Sequence, residues 1–354
     1  MSASRPPERI LAVNCFVGPS NDLYHLSHVL TGLCELAAAG DIDLRLLPAD
    51  DDDAQPLESA ALEAQVSDGG EPLAISFDVY DRSGDFHPAS IANCSICFKR
   101  SFYRPHLDRL QPTVKTVVLP FGINYGCRSA AGERFLRAAG LRLDEGLNRY
   151  LCVLPFEAFE QPPNTPVESS IVFQTRAWAP DSTSDNVEEV NESRARIIRT
   201  LRKAFPGRFH GGFVPNSYAL ENYPDLLTPY PDLLHQYVPF SKRHLIGVGT
   251  RGLHQSVPFK IPEYLAGSHA IVSEPLRCEF PAPLQDSSHF LQFETAEECV
   301  AQCDRVLSGA ALARELREAS WRYYSSEVRP AQHMASLLER ALAVSTELHR
   351  RRYS

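Results

Sequence analysis

A lysine and a glutamate three residues apart, Lys260 and Glu263, stand in the stretch of this chain with the clearest chemical pattern. The turn Gly249–Gly252 comes shortly before them, and the backbone N–H groups of such a turn can point at an anion. Pro258 favours a helix start, where unpaired N–H groups attract negative charge. A turn, a helix start and a lysine together predict a phosphate-binding unit, although each residue alone would also fit a solvated helix cap.

The elements that hold this unit are short and apolar. Leu245–Val248 is typical of a buried strand, Gly267 ends the helix, and Ala270–Ser273 is typical of the next strand. In an open α/β sheet, ligands bind outside the carboxyl ends of such strands. The positions that we expect to contact a bound phosphate group are Gly249, Thr250, Arg251, Gly252 and Lys260.

Residues 245–276 resemble the donor-binding half of GT-B glycosyltransferases, in particular the retaining group-1 enzymes of that fold. The resemblance implies that Glu263 holds the ribose hydroxyls of a nucleotide and that Lys260 grips its diphosphate. In that family a second glutamate, eight residues before the first, faces the donor sugar. This chain has Gln255 at that position, so retention or inversion of configuration stays open.

The resemblance also implies an α/β fold of two Rossmann-like, doubly wound domains that face a central cleft, with a C-terminal helix crossing back to the first domain. A length of 354 residues and a hydrophobic content of 44% fit two such domains. The proline-rich segment Glu160–Glu168 is the expected linker. We expect an acceptor-binding domain at 1–160, a nucleotide-sugar-binding domain at 161–330, and the returning helix and tail at 331–354.

Apolar runs and turn residues predict the remaining elements of both halves. In the first half we expect a helix at Asp22–Ala39 and strands at Ile10–Phe16, Ile42–Leu47, Leu73–Phe77, Ser95–Phe98, Thr116–Leu119 and Cys152–Leu154. In the second half we expect a helix at Val190–Phe205, helical structure over 310–350, and strands at Ser170–Gln174 and Phe209–Val214.

A second cation is expected beside the phosphates. Arg176 follows the first strand of the second half, at the edge of the sheet where ligands bind. We therefore expect Arg176 to act with Lys260 as a phosphate clamp. A loop arginine is also a common partner in surface ion pairs, and that alternative stays open.

Two kinds of side chain in the first half are candidates for taking a proton from an acceptor molecule. His25 and His28 lie one helical turn apart after the first glycine turn, and histidine suits general base catalysis near neutral pH. Hydrogen-bonded or solvated histidines on an amphipathic helix would show the same spacing. Asp78 follows another strand, together with Asp81, and is the carboxylate alternative.

A small basic cluster follows the predicted strand that ends at Phe98. It consists of Lys99, Arg100 and Arg104. The cluster would suit an anionic acceptor such as a sugar phosphate or a nucleotide. It would equally suit pairing with the abundant carboxylates of this chain.

Charge and composition narrow the class of partner and the compartment. A net charge of −9 and an isoelectric point near 5.8 argue against nucleic acid as a partner, because a phosphate backbone demands a basic surface. The chain start lacks a signal-peptide pattern and no apolar run approaches the roughly 20 residues that a bilayer requires, so we expect a cytoplasmic protein. The basic tail His349–Arg352 allows at most peripheral contact with a membrane.

Nine cysteines without an export signal indicate reduced thiols rather than disulfides. Cys94 and Cys97 lie in a predicted strand, where this spacing puts their sulfurs on opposite faces, so we interpret them as buried apolar residues. Cys299 and Cys303 share a helix face but lack the second pair of a typical zinc site.

The resemblance and these residues together predict a glycosyltransferase that needs no metal ion and no cofactor. It would move a sugar from a nucleotide diphosphate sugar to a small-molecule or lipid-linked acceptor, with Lys260 and Arg176 stabilising the departing diphosphate. His25 or Asp78 would act on the acceptor. Two alternatives remain open: a metal-dependent transferase that uses Asp50–Asp53, and a non-catalytic sugar-nucleotide-binding or scaffold protein of the same fold.

Overall fold

The computed structural model describes residues 10–49, 61–110, 113–140, 144–180 and 186–353 of the chain. These residues form two compact units. The acidic run Asp50–Asp53 lies outside the described residues. The first unit contains the chain up to Gly122, the segment Gly126–Pro155 and the chain from Arg329 onward, and the second unit contains Ile123–Tyr125 and Phe156–Val328.

The first unit is built on a six-stranded mixed sheet. Its strands are β1 (Leu11–Val17), β2 (Ile42–Pro48), β3 (Ala61–Ser67), β4 (Leu73–Asp78), β5 (Ile96–Lys99) and β6 (Val117–Pro120). Their order across the sheet is β2-β1-β3-β4-β5-β6, and β3 runs antiparallel to both of its neighbours. Strands β1 and β4 therefore run in the same direction, so the segments that follow them leave the same edge of the sheet.

The helices of this unit are α1 (Ser27–Ala39), α2 (Pro88–Ala92), α3 (Arg104–Leu107), α4 (Ala130–Ala138), α5 (Asp144–Leu151) and α13 (Pro330–Tyr353). Of these, α1, α4, α5 and α13, the last helix of the chain, contribute side chains to the hydrophobic core. Helix α13 packs along α1. Gly32 permits this contact, because a β-carbon there would lie 2.3 Å from the carbonyl oxygen of Pro330. The predicted return of the C-terminal helix to the first domain is confirmed.

The second unit is built on a five-stranded parallel sheet. Its strands are β7 (Glu168–Thr175), β8 (Phe209–Phe213), β9 (His244–Gly249), β10 (Ala270–Ser273) and β11 (Phe290–Gln292). The order is β11-β10-β9-β7-β8. Strand β8 therefore lies on one side of β7, and β9, β10 and β11 lie on the opposite side. The topological switch point therefore lies between β7 and β9, and ligands of open α/β sheets bind at the carboxyl ends of strands at such a point.

Helices alternate with these strands, as in Rossmann-like domains. They are α6 (Phe156–Phe159), α7 (Val187–Ala204), α8 (Ser217–Asn222), α9 (Leu234–Ser241), α10 (Lys260–Ala266), α11 (Ala296–Ser308) and α12 (Ala310–Tyr323). A π-helical turn at Tyr324–Val328 leads from α12 to α13. The predicted fold class, two Rossmann-like α/β domains with a returning C-terminal helix, is confirmed. Within the described ranges, no helix combines the length and apolar character needed to cross a membrane.

Two predictions about single elements are wrong, and one strand was not predicted. The first helix begins at Ser27 rather than at Asp22, because the Asp22 carboxylate accepts the N–H of Tyr24 and holds these residues in a turn. Cys152–Leu154 is not a strand, since the chain turns there after α5. An isolated β-bridge joins Pro155 to Arg128, whose N–H donates to the carbonyl oxygen of Leu154 at 2.9 Å. Strand β3 was not predicted, because its sequence ALEAQVS is rich in residues that favour helices.

The segment Glu160–Glu168 is not a free linker. The N–H of Gln161 donates to the carbonyl oxygen of Ala266 at 2.9 Å, and its side-chain amide donates to that of Lys242 at 2.8 Å. The segment is thus part of the second unit. Prolines favour an extended backbone, but the backbone and side-chain groups of neighbouring residues can still form hydrogen bonds. Composition alone does not show whether such bonds are made.

The cysteines are free thiols, and only Cys152 of the nine is exposed. Burial raises the pKa of Cys94 to about 12 and also raises the pKa of Cys97. Cys299 and Cys303 are both buried on α11. The interpretation of Cys94 and Cys97 as buried apolar residues is confirmed, because protonated buried thiols are inert.

Candidate functional site

The strand–turn–helix–strand pattern is present in the second unit. Strand β9 ends at Gly249, α10 begins at Lys260, and β10 lies parallel to β9. Glycine in β9 lets α10 pack directly on the strand, because a β-carbon on Gly247 would lie 2.6 Å from the ring of Tyr264. This close packing fixes the start of α10 beside the carboxyl end of β9.

Lys260 and Glu263 form an ion pair in the first turn of α10. Nζ of Lys260 lies 2.8 Å from Oε2 of Glu263, and the two side chains are 31% and 12% exposed. The same Nζ lies 3.6 Å from the ring centroid of Tyr237, which is a cation–π contact. Burial would lower the pKa of Lys260, but Glu263 and Tyr237 outweigh it and raise the pKa. Lys260 is therefore a protonated, partly accessible cation at neutral pH.

Two N–H groups of the Gly249–Gly252 turn, those of Arg251 and Gly252, are paired within the protein. The N–H of Arg251 donates to Oε2 of Glu274 at 2.7 Å, and that of Gly252 donates to the carbonyl oxygen of Ser256 at 3.0 Å. The turn does bind an anion, as predicted for such a turn, but in the structure this anion is the carboxylate of Glu274. A bound phosphate therefore depends on side chains unless it displaces Glu274.

The two side chains of the turn differ in exposure, and that of Arg251 is partly exposed. Thr250 is buried. The guanidinium of Arg251 pairs with Glu189 of α7 at 2.5 Å. The backbone of Gln255 lies in the short 3-10 turn Leu253–Gln255, and its side chain lies outside the described part of the chain.

Arg194, a buried side chain of α7, ties the ends of β7 and β9 together. It donates to the carbonyl oxygens of Arg176 at 2.8 Å and Arg251 at 2.9 Å, and to the hydroxyl of Thr250 at 3.2 Å. Burial lowers the pKa of Arg194 to about 10, in spite of the nearby Glu274, so the residue stays charged. Sequence reasoning missed Arg194, because most helical arginines lie in solvent.

Arg176 lies just beyond the carboxyl end of β7, where it was predicted, and its side chain is exposed. Its guanidinium carbon lies 5.9 Å from the ring centroid of Trp178, a large aromatic side chain that is also exposed. Asn191 fixes the backbone of Trp178 by accepting its N–H at 3.1 Å and donating to its carbonyl oxygen at 2.7 Å. An anchored, exposed indole beside an arginine is a feature that sequence reasoning also missed.

His254 has an unusual backbone in the loop between β9 and α10. Its φ of 56° and ψ of 20° lie in the left-handed region, which non-glycine residues rarely adopt. Its Nδ1 is buried and has no hydrogen-bond partner among the described residues. Strain of this kind costs on the order of 1–3 kcal/mol and clusters at functional sites. The residue type of His254 does not by itself predict this backbone conformation.

A cavity of about 480 Å³ opens beside the same loop in the second unit. Neither Lys260 nor Arg176 lines it. A diphosphate would meet more negative than positive charge there, so we do not assign donor phosphates to this cavity. Its charged lining consists of Glu189, Glu192, Glu274, Glu294 and Glu297 against Arg196, Arg251 and Arg277.

In the first unit, His25 lies in the turn before α1 and is held by a buried carboxylate. Nδ1 of His25 lies 2.5 Å from Oδ2 of Asp22, and the side chains are 43% and 3% exposed. Burial would raise the pKa of Asp22, but His25 and Arg149, whose Nη1 lies 3.5 Å away, outweigh it and lower the pKa. A fixed carboxylate behind an accessible imidazole is an arrangement that orients a general base.

His28, the other predicted histidine, is buried and structural. Its Nε2 lies 3.0 Å from Nδ1 of His333 on α13, and Nε2 of His333 lies 2.6 Å from the carbonyl oxygen of Phe121. Burial lowers the pKa of His28, and it lowers that of His333 to about 4. The neutral rings fasten α13 to α1, so His28 is not available to a substrate.

Asp78 is half of a fully buried ion pair. Its Oδ1 lies 2.8 Å from Nζ of Lys99, and neither side chain has exposed surface. Its Oδ2 accepts the N–H of His87 at 2.9 Å, and Lys99 also donates to the carbonyl oxygens of Tyr80 and Asp85. This observation corrects the assignment of Asp78 as a base, because a buried and fully paired carboxylate cannot reach an acceptor.

Two members of the predicted basic cluster are paired with carboxylates. Arg100 pairs with Asp81, and Lys99 pairs with Asp78. Arg104 lies with its guanidinium carbon 5.4 Å from the ring centroid of Phe102. Of the two interpretations of this cluster, pairing with carboxylates is the one that the structure shows for Lys99 and Arg100.

Comparisons with known proteins find similar folds but no similar sequences. No family model matches this chain, and no curated protein matches it in sequence. The chain is similar to AviGT4, a glycosyltransferase involved in avilamycin A biosynthesis, at 12% identity over 91% of this chain and 89% of that chain, with a TM-score of 0.45. It is also similar to sucrose-phosphate synthase from Thermosynechococcus elongatus, at 13% identity over 78% of this chain and 67% of that chain, with a TM-score of 0.38.

A further similar structure is the C-terminal domain of a glycosyl transferase group 1 family protein, LpcC, from Francisella tularensis. The identity is 12% over 49% of this chain and 96% of that chain, with a TM-score of 0.34. All of these TM-scores lie below 0.5, so the fold assignment rests on the two sheets described above.

Proposed function

We propose that this protein is a glycosyltransferase that moves a sugar from a nucleotide diphosphate sugar to a small-molecule or lipid-linked acceptor. One observation carries the proposal: Arg176 follows β7 and the Lys260–Glu263 pair follows β9, on the two strands that flank the switch point. Ligands of open α/β sheets bind at this place. The resemblance of residues 245–276 to a donor-binding unit supports a nucleotide sugar as the ligand. In this proposal the second unit binds the donor and the first unit binds the acceptor.

Side-chain cations are the groups that would hold the diphosphate. Helix α10 has only seven residues, and the N–H groups of Arg251 and Gly252 are already paired, so backbone groups contribute little. Lys260 is protonated and partly accessible, and Arg176 is exposed. Negative charge grows on the leaving diphosphate as the glycosidic bond breaks, and two fixed cations stabilise it without a metal ion.

Glu263 would hold the nucleotide in place through its ribose. Its Oε2 binds Lys260, and an ionised carboxylate has further acceptor sites for hydroxyl groups. The same carboxylate therefore orients the lysine and accepts from the ribose. Trp178, exposed beside Arg176, offers a flat apolar face on which a base or a sugar ring can stack.

On the acceptor side, we assign proton transfer to His25 with Asp22 behind it. The 2.5 Å contact with Asp22 fixes the ring, and the ionised carboxylate stabilises the imidazolium that forms when the ring takes a proton. His25 would touch the acceptor, whereas Asp22 is a positioning residue.

The test is a panel of nucleotide diphosphate sugars, screened by thermal shift and then by slow release of nucleoside diphosphate without an acceptor. We expect one donor to raise the melting temperature and to be hydrolysed in the presence of excess EDTA. Binding without any hydrolysis or transfer would identify a non-catalytic sugar-nucleotide-binding protein. Activity that EDTA abolishes and Mn²⁺ restores would favour a metal-dependent transferase.

A further inference from the structure

The amino-terminal edge of the second sheet carries another cluster of reactive side chains. Glu168 is the first residue of β7, His210 is the second of β8, and His244 is the first of β9. Strand β7 lies between β8 and β9, so the three side chains meet at one edge, opposite the edge that carries Lys260. One candidate ligand atom from each residue lies within 4.8 Å of the other two.

Each imidazole of this cluster has one nitrogen held by a hydroxyl group. Nδ1 of His244 lies 2.7 Å from Oγ of Ser170, and Nδ1 of His210 lies 2.9 Å from the hydroxyl of Tyr230. Histidines that ligate metals commonly donate one ring N–H to an oxygen, which fixes the ring and leaves the other nitrogen for the ion. The two rings are also held against each other, with centroids 4.6 Å apart and an interplanar angle of 26°.

The second nitrogen of His244 is buried without a partner. The side chain is 1% exposed, and its Nε2 has no hydrogen-bond partner among the described residues. A buried, unpaired polar atom is costly unless a ligand satisfies it.

Glu168 supplies the oxygen donor of the cluster. Its side chain is 57% exposed, and Oε2 lies 4.0 Å from Nδ1 of His244, the nitrogen that Ser170 holds. To share an ion with Nε2 of His244, the carboxylate of Glu168 must turn toward that other nitrogen of the ring. The exposed side chain can rotate to close the gap, while its backbone stays fixed by the N–H bond to the carbonyl oxygen of Arg243 at 2.7 Å.

We propose that Glu168, His210 and His244 bind a divalent transition-metal ion, with Zn²⁺ the best match to the donor set. Two imidazoles and one carboxylate form a known three-ligand zinc set that keeps a fourth position open, whereas Ca²⁺ and Mg²⁺ prefer oxygen donors alone. A cavity of about 460 Å³ adjoins the cluster, with Tyr230, Phe240 and Arg243 in its wall. It has room for a water molecule or a small oxygen-donor ligand at the fourth position. The site is independent of the function proposed above.

The test is equilibrium dialysis of the untagged full chain, stripped with a chelator and kept reduced, against ZnCl₂ alone. We expect one Zn²⁺ per chain. His210→Ala and Glu168→Gln, both at positions with solvent access, should weaken binding at least about tenfold, and Tyr230→Phe should weaken it by about 10–100-fold through loss of the ring anchor. The matched control is His235→Ala, which removes an exposed histidine of α9 outside the cluster and should leave binding unchanged.

X-ray absorption at the zinc edge separates this site from the cysteines. We expect a first shell of nitrogen and oxygen near 2.0–2.1 Å, whereas sulfur near 2.3 Å would assign the ion to thiols such as Cys299 and Cys303. That sulfur shell would overturn the proposal. So would the absence of stoichiometric binding, or undiminished binding by both His210→Ala and Glu168→Gln.

Discussion

Two lysine–carboxylate pairs, one in each unit, have the same distance between nitrogen and oxygen but differ in solvent access. Lys99 and Asp78 in the first unit approach to 2.8 Å, as do Lys260 and Glu263 in the second. The first pair has no exposed surface, whereas the second is partly exposed. Burial lowers the pKa of Lys99, while in the second pair the partners outweigh burial and raise the pKa of Lys260.

The difference shows which pair is able to meet a ligand. All the donors of Lys99 are taken up by Asp78 and by two carbonyl oxygens, so this lysine cross-links the loops after β4. Lys260 has one carboxylate partner and an aromatic face beside it, and part of its surface faces solvent. We infer that the first pair supports the fold and that the second holds a substrate.

The largest expected effect is on stability in the first unit. Lys99→Met leaves Asp78 buried without its cation, which should cost about 3–5 kcal/mol of unfolding free energy. Lys260→Met should cost less than about 1 kcal/mol, because its pair is partly solvated. Denaturant unfolding of both variants checks the contrast. Equal losses of unfolding free energy in the two variants would contradict the comparison. The double variant Lys99→Met/Asp78→Leu should recover most of the stability that Lys99→Met loses.

The next largest effect is on turnover in the second unit. Lys260→Ala should lower kcat by about a hundredfold to a thousandfold, or roughly 2.7–4 kcal/mol, because a cation on the leaving diphosphate acts mainly in the transition state. Arg176→Ala should lower kcat less, since Arg176 is more exposed. Steady-state kinetics at saturating donor, with circular dichroism as a folding control, measure both. Near-normal turnover of Lys260→Ala would show that Lys260 is only a cap residue.

A third pair, Asp22 with His25, extends the comparison to the acceptor side. His25→Ala should lower kcat by about a hundredfold, the lower range for a general base, with little change in stability. Asp22→Asn should also lower kcat, because the ring loses the carboxylate that holds it and stabilises its imidazolium. An undiminished kcat in Asp22→Asn would remove this pair from the mechanism.

Glu263 should affect binding more than chemistry. Glu263→Gln should raise KM for the donor about tenfold and change kcat less than about threefold, because ribose contacts change little between ground and transition states. A loss confined to kcat would instead assign Glu263 a chemical role. Donor titrations at fixed acceptor separate the two outcomes.

The smallest expected effect is of pH on donor binding. The pKa of Lys260 is raised above its usual value, so its charge should persist through pH 9.5. The Kd of a nucleoside diphosphate should therefore change less than about twofold between pH 7.5 and 9.5. Calorimetric titration at several pH values measures this Kd. An affinity that falls before the pH reaches 9.5 would mean that Lys260 is not held in its charged form.

The fold was predicted from the resemblance to a known family, whereas single elements at one edge of the second sheet were predicted from local sequence signals. Strand β10 was predicted at the residues where it lies, and Gly267 ends α10 as expected. These features depend on apolar runs, prolines and glycines within a few residues of one another. The position of Arg176 followed in the same way from the end of a strand.

Partners that are distant along the chain were not predictable from the sequence. Asp78 resembled a catalytic carboxylate until the structure showed Lys99 beside it, and Glu274 was not expected to reach the turn after β9. The cluster of Glu168, His210 and His244 comes from three separate strands, so no spacing motif marks it. Burial and pairing depend on tertiary packing, which periodicity does not encode.

The central claim is that Lys260 binds a diphosphate at the carboxyl edge of the second sheet. Isothermal titration of uridine, guanosine and adenosine diphosphates, each against its nucleoside, tests it on the wild type and on Lys260→Ala. We predict that at least one diphosphate binds the wild type more than about tenfold more tightly than its nucleoside, a difference of about 1.4 kcal/mol. The preference should disappear in Lys260→Ala. Equal binding of every diphosphate and nucleoside to the wild type, or an undiminished preference in Lys260→Ala, would contradict the claim.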